Sequence, residues 1–110
     1  MIAKNAILLL PLLVAVASAQ KAQTFTGTIS DSMCARADHS KMRMGSNDAE
    51  CTNACVESHG AAYVLYDGKV SYTLKGKQPL QKLAGQKVQV VGTLDAKTST
   101  IQVDSVSAAK

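Results

Sequence analysis

The chain has 110 residues and a formal net charge of +4, from 12 basic and 8 acidic side chains. That length is expected to give one small domain with one modest core, below the size at which burial is comfortable. The lysines are scattered along strands and turns and form no basic tract that would follow a phosphate backbone, so nucleic acid is not an expected partner.

Residues 1–19 read as a signal peptide. Lys4 supplies the positive start, Ala6 to Val16 the apolar segment, and Ala17-Ser18-Ala19 the small-x-small cleavage pattern. Cleavage is expected after Ala19, releasing a single domain of residues 20–110 to the periplasm or the exterior. The apolar run is too short for a stable membrane span, and no later stretch approaches the ~20 apolar residues that one requires. No cysteine stands at the cleavage site to carry a lipid anchor. Small exported domains often gain stability from a disulfide or a metal, which gives the three cysteines a plain structural reason to exist.

Thr24 to Ile29 alternates, with Phe25 and Ile29 on one face, and reads as the first strand. From Ser30 to Ser46 periodicity disappears and a long polar loop is expected; a loop of that length in a small domain is usually functional or tied down. A short helix follows. Asn47 with Glu50 three residues on has the form of a capping box, and Gly60 is the residue that most readily takes the left-handed conformation at a helix end. Cys51, Cys55 and His59 recur every four residues and form one stripe on this helix.

Asp67-Gly68 between two alternating apolar runs specifies a hairpin with a two-residue turn. That turn places Leu65 opposite Val70 and Tyr63 opposite Tyr72 on the core side, with Val64, Tyr66, Lys69 and Ser71 on the other. Pro79 to Ala84, ended by Gly85, has room for a short helix. Val88 to Leu94 and Thr100 to Val106 are two further strands around a polar turn, with Gly92 marking a bulge.

The resulting fold is mainly β. It is a small five-stranded OB-like barrel, with a Cys/His loop and helix between strands 1 and 2 and a short helix between strands 3 and 4; closure would remove exposed strand edges. An open meander of the same strands is the alternative. In OB barrels the connection between the first two strands borders the ligand face, so by analogy of fold the ligand is expected at the Cys/His region.

Several stretches carry a family likeness: Thr28-Ile29-Ser30-Asp31-Ser32-Met33-Cys34, Glu50-Cys51-Thr52 with Cys55, Tyr63-Val64-Leu65 with Asp67-Gly68-Lys69-Val70, Leu83 to Val88, and Val91 to Asp95. Together they resemble small exported domains of acidobacteria-like soil bacteria. The likeness covers nearly all of residues 20–110. It implies an OB-like barrel with a shared Cys/His region and no particular activity.

Three cysteines and two histidines are consistent with a Cys3His metal site, in which Cys34, Cys51 and Cys55 supply thiolates and His39 or His59 the fourth ligand. Zinc and copper are the cofactors such a set would take, and the thioethers of Met33, Met42 and Met44 favour Cu(I) if they turn inward. No Cys-x-x-Cys knuckle is present, so the spacing matches no standard zinc module. The competing assignment is a disulfide from Cys34 to Cys51 or Cys55, closing a loop of roughly twenty residues for about 3 kcal/mol. A bridge between Cys51 and Cys55 suits the geometry of one helical turn poorly. Cys55 as a nucleophile with His59 as its base lacks any orienting residue or oxyanion donor in the sequence. The function expected is therefore non-enzymatic: an exported binding or structural module that holds a soft metal, or a disulfide-pinned domain that binds a small molecule or an envelope protein.

Overall fold

The computed structural model describes residues 21–35, 37–38 and 45–109. The expected signal peptide and its cleavage point lie outside the described residues, as do His39, Met42 and Met44. Among the described residues no helix is long and apolar enough to cross a membrane.

Five strands make one sheet: β1 (Gln23–Asp31), β2 (Tyr63–Tyr66), β3 (Ser71–Lys75), β4 (Lys87–Asp95) and β5 (Thr100–Ala108). The helix α1 (Asp48–His59) falls between β1 and β2, and single 3-10 turns occur at Ser32–Cys34 and Leu80–Leu83. The sheet closes on itself in a ring, in the order β1-β2-β3-β5-β4, with β4 returning to β1. All pairs are antiparallel except β3 with β5. The open meander is thereby excluded.

Side chains at alternate positions fill the interior. Ile29 stands opposite Leu65, Phe25 opposite Val90, Leu74 and Leu94 opposite Ile101, and Val90 opposite Val106. Ile29, Leu65, Leu74, Leu80, Val88, Val90, Ile101 and Val103 form one buried cluster, with Phe25, Tyr63, Tyr72, Leu83, Leu94 and Val106 packed on it. Burial of aliphatic side chains such as these contributes about 1.5–3 kcal/mol each. The register slips between Val91 and Gly92, which is the bulge expected at this glycine. A Cβ there would run into the Gln102 carbonyl oxygen, so the bulge depends on glycine.

The β2–β3 hairpin departs from its expected register. Leu65 pairs with Tyr72 and Tyr66 with Ser71, two residues away from the partners that an Asp67-Gly68 turn requires. The Asp67 carboxylate accepts from the N–H groups of Lys69 and Val70, and Asp67 N–H donates to Val70 O at 3.1 Å, so Gly68 and Lys69 are the central turn residues. Gly68 has φ +102°, the sign that glycine supplies at the first central position of a II′-type turn. A slip of two preserves which face each side chain occupies, so Leu65, Tyr63 and Tyr72 still serve the core. Val70 moves into the turn and is exposed, whereas Val64, expected on the outer side, is buried across from Ser30. The aromatic contact in the core joins Phe25 and Tyr72, with ring centroids 5.7 Å apart, in place of the expected Tyr63–Tyr72 pair.

The helix ends are where the residues place them. Asn47 caps α1 by accepting from Glu50 N–H at 2.9 Å, and Gly60 closes it at φ +66° with its N–H on Cys55 O. The return arm of the capping box differs, because the Glu50 carboxylate reaches Ser46 N–H at 2.8 Å and not Asn47. The short helix after Pro79 is a 3-10 turn, and Gly85 beyond it takes φ +75°.

Candidate functional site

The inward row of β1 runs Phe25, Gly27, Ile29 and then Asp31, so apolar lining gives way to a carboxylate at one end of the ring. Asp31 is fully buried. Its Oδ1 accepts from the N–H groups of Met33 and Cys34 at 3.0 and 2.9 Å, and so caps the 3-10 turn that carries Cys34. The Ser30 hydroxyl donates to Cys34 O at 2.8 Å and fixes the same turn from the other side of the strand. Farther along the loop, the Ser71 hydroxyl on β3 donates to Ala35 O.

The helix α1 is tied across this end. Tyr63 on β2 donates its hydroxyl to Asn53 Oδ1 at 2.8 Å, and Asn53 Nδ2 donates to Gln81 O in the second 3-10 turn. Gly85 lies against the helix start so closely that a Cβ would be 2.8 Å from Ala49 N. Cys51, Thr52 and Cys55 form the buried face of α1. Cys51 donates its thiol to Gly45 O at 3.4 Å, while the Thr52 hydroxyl is buried without a hydrogen-bond partner.

Cys34 and Cys55 both feel the charge of Asp31 and of Cys51. Burial pushes the Cys55 thiol up to about 11, with the Asp31 charge, a hydrogen bond to that carboxylate and the two other cysteines adding in the same direction. Cys34 is also raised, chiefly by desolvation, then by Asp31, Cys51 and Asp38. All three are free cysteines, two buried and Cys34 half-buried. Thiols held protonated in this way are poor nucleophiles at neutral pH. A Cys55–His59 catalytic couple gains no support from the geometry either, because Cys55 faces the ring and His59 is exposed at the helix end.

Of the expected site residues, Cys51 and Cys55 are buried on α1, Cys34 is half-buried in the turn after β1, and His59 is exposed at the helix end; His39 lies outside the described residues. No group of three or more His, Cys, Asp and Glu side chains among the described residues is arranged to hold a metal ion. Asp31 is the site residue that sequence reasoning passed over. Its signal is present, since an aspartate two and three residues ahead of Met33 and Cys34 is a capping position, but the apolar alternation ends at Ile29 and so assigns Asp31 to the loop. The chain matches no protein-family model, no curated protein and no solved structure.

Proposed function

We propose that this protein is an exported, non-enzymatic binding module of OB-like barrel architecture, related to the small exported bacterial domains that its sequence resembles, and that its cysteine centre takes one soft metal ion, Zn(II) or Cu(I). The feature that supports this reading is the set of three free cysteines in two chain segments, Cys34 in the turn after β1 and Cys51 and Cys55 on the buried face of α1, which feel one another's charge and that of Asp31. A structural crosslink needs only two of them. Three thiolates are a natural donor set for a d10 ion. Cys34, Cys51 and Cys55 are the proposed ligands, with His39 or His59 completing the set. Binding would displace the thiol protons and join the loop of Cys34 to α1, making metal affinity part of folding stability.

The second reading is a disulfide between Cys34 and Cys51 or Cys55 in a domain that binds a small molecule or an envelope partner. It is favoured by the placement of half-buried Cys34, which an oxidant reaches, beside two buried cysteines.

Protein isolated anaerobically, then analysed for metal content and thiol number, separates the two. One equivalent of Zn or Cu protecting three thiols from alkylation is expected, with loss of metal in Cys34→Ser, Cys51→Ser and Cys55→Ser. His39→Ala and His59→Ala identify the fourth ligand. One free thiol, no metal, and no uptake after reduction would overturn the metal reading.

A further inference from the structure

At the β4–β5 hairpin, a cavity of about 780 Å³ is lined by residues 93–98 together with Lys75, Thr100 and Gln102. A second cavity of about 300 Å³ continues it past Leu94 and Ala96 to Lys21 and Gln23. None of these residues belongs to the cysteine centre.

The strand register builds the floor of the larger cavity. Lys75 stands beside Gln102 across the parallel β3–β5 seam, and Gln102 stands opposite Thr93 on β4, so ammonium, amide and hydroxyl lie in one row. One pleat away Thr100 pairs with Asp95. Neighbouring strands are ~4.8 Å apart, so the row spans about 10 Å, roughly the width of one or two sugar rings.

The hairpin tip is tied to β3 beside the cavity. Ser99 has φ +51°, a conformation that non-glycine residues seldom adopt, and its carbonyl oxygen accepts from Thr73 N–H on β3 at 2.9 Å. A strained residue fixed by a bond to a different strand is an arrangement often found where a site is pre-organised. The tip's carboxylate is committed to the turn, because Asp95 Oδ1 accepts from Lys97 N–H at 3.0 Å.

We infer that this cavity is a binding site for a small polyhydroxylated anion of the sugar-acid class. Lys75 and Lys97, with Lys21 beyond, outnumber the single carboxylate and set the sign of the ligand. Three threonines and Gln102 offer the hydrogen-bond donors and acceptors that several hydroxyls need. The lining has no aromatic ring on which a base would stack and no arginine fork for bidentate phosphate recognition, whereas lysine ammoniums meet a carboxylate as single charges.

The test is an amide chemical-shift titration of the full domain with glucuronate, glucose 6-phosphate and glucose. Glucuronate is expected to shift the amides of Lys75, Asp95, Lys97, Thr100 and Gln102 saturably. Lys75→Glu with Lys97→Glu is expected to weaken it by about tenfold or more, and Lys87→Glu, outside the cavity, to leave it unchanged. The charge-removing pair Lys75→Met and Lys97→Met serves if the reversed pair fails to fold. Equal shifts with neutral glucose, stronger binding of glucose 6-phosphate, shifts elsewhere on the domain, or no shifts at all would each overturn the inference.

Discussion

The Cys55 thiol donates a hydrogen bond to the buried carboxylate of Asp31, joining the second turn of α1 to the end of β1. Burial first, then the Asp31 charge and this bond, favour the protonated thiol in the folded state and raise Cys55 from 9.0 to about 11. The resulting contribution is complete below about pH 9 and is lost as pH rises towards 11, since the unfolded chain releases its proton first. Urea midpoints of the reduced, metal-free protein should fall across that interval. In Asp31→Asn, which retains an acceptor but no charge, the fall should be smaller, and absorbance titration of the thiolates should place Cys55 lower. Asp31→Ala, which also removes the cap on Met33 and Cys34, is expected to cost about 1–3 kcal/mol at pH 7.

Gly60 and Gly85 have nearly the same positive φ in different surroundings, +66° with open space around it and +75° with Ala49 N at 2.8 Å from a built Cβ. Gly60→Ala should therefore cost only the backbone term, about 1 kcal/mol. Gly85→Ala adds a clash with the start of α1 and should cost at least about 2 kcal/mol. Equal melting temperatures for the two variants would show that α1 does not press on Gly85.

Tyr63, Asn53 and Gln81 form a relay from β2 through α1 to the second 3-10 turn. Tyr63→Phe and Asn53→Ala should each destabilise by about 0.5–1.5 kcal/mol. The double variant should lose less than the sum, because either change breaks the same bond. Additivity in denaturant titrations would mean that the hydroxyl and the amide do not meet in solution.

Asp67 organises the hairpin through the N–H groups of Lys69 and Val70, and those bonds hold its carboxyl below the usual value. Hairpin order should persist above pH 4 and weaken as Asp67 is protonated below it, the direction for a carboxylate whose folded form is stabilised ionised. Asp67→Ala should accelerate amide exchange at Tyr66 and Ser71 at neutral pH and abolish that acid dependence.

Helix Asp48–His59 was legible because both of its ends are written locally, in Asn47 and Gly60, and the β4 bulge because Gly92 is a residue that tolerates close approach. Hairpin position was legible too, but its register was not. The slip of two residues depends on a side-chain acceptor, Asp67, competing with the turn that the Asp-Gly pair suggests. The stripe of Cys51, Cys55 and His59 was a property of helical spacing alone. Each step of four residues drifts by about 40°, and whether the third member is buried depends on what the helix meets.

The sequence by itself determined the order of strands and helix, the ends of α1, most of the residues that alternate towards a core, and that the cysteines lie in two segments, one in the long polar loop and one on the helix that follows. These follow from propensity, period and capping, which act over a few residues. The tertiary structure decided that β3 runs parallel beside β5, that Asp31 ends the inward row of β1 and acts on Cys34 and Cys55, that Cys51 and Cys55 are buried while His59 faces water, and that Lys75 and Lys97 share a cavity. Each of these joins groups far apart in the chain, and such contacts arise only when closing the ring buries enough apolar surface to offset the entropy of bringing distant segments together.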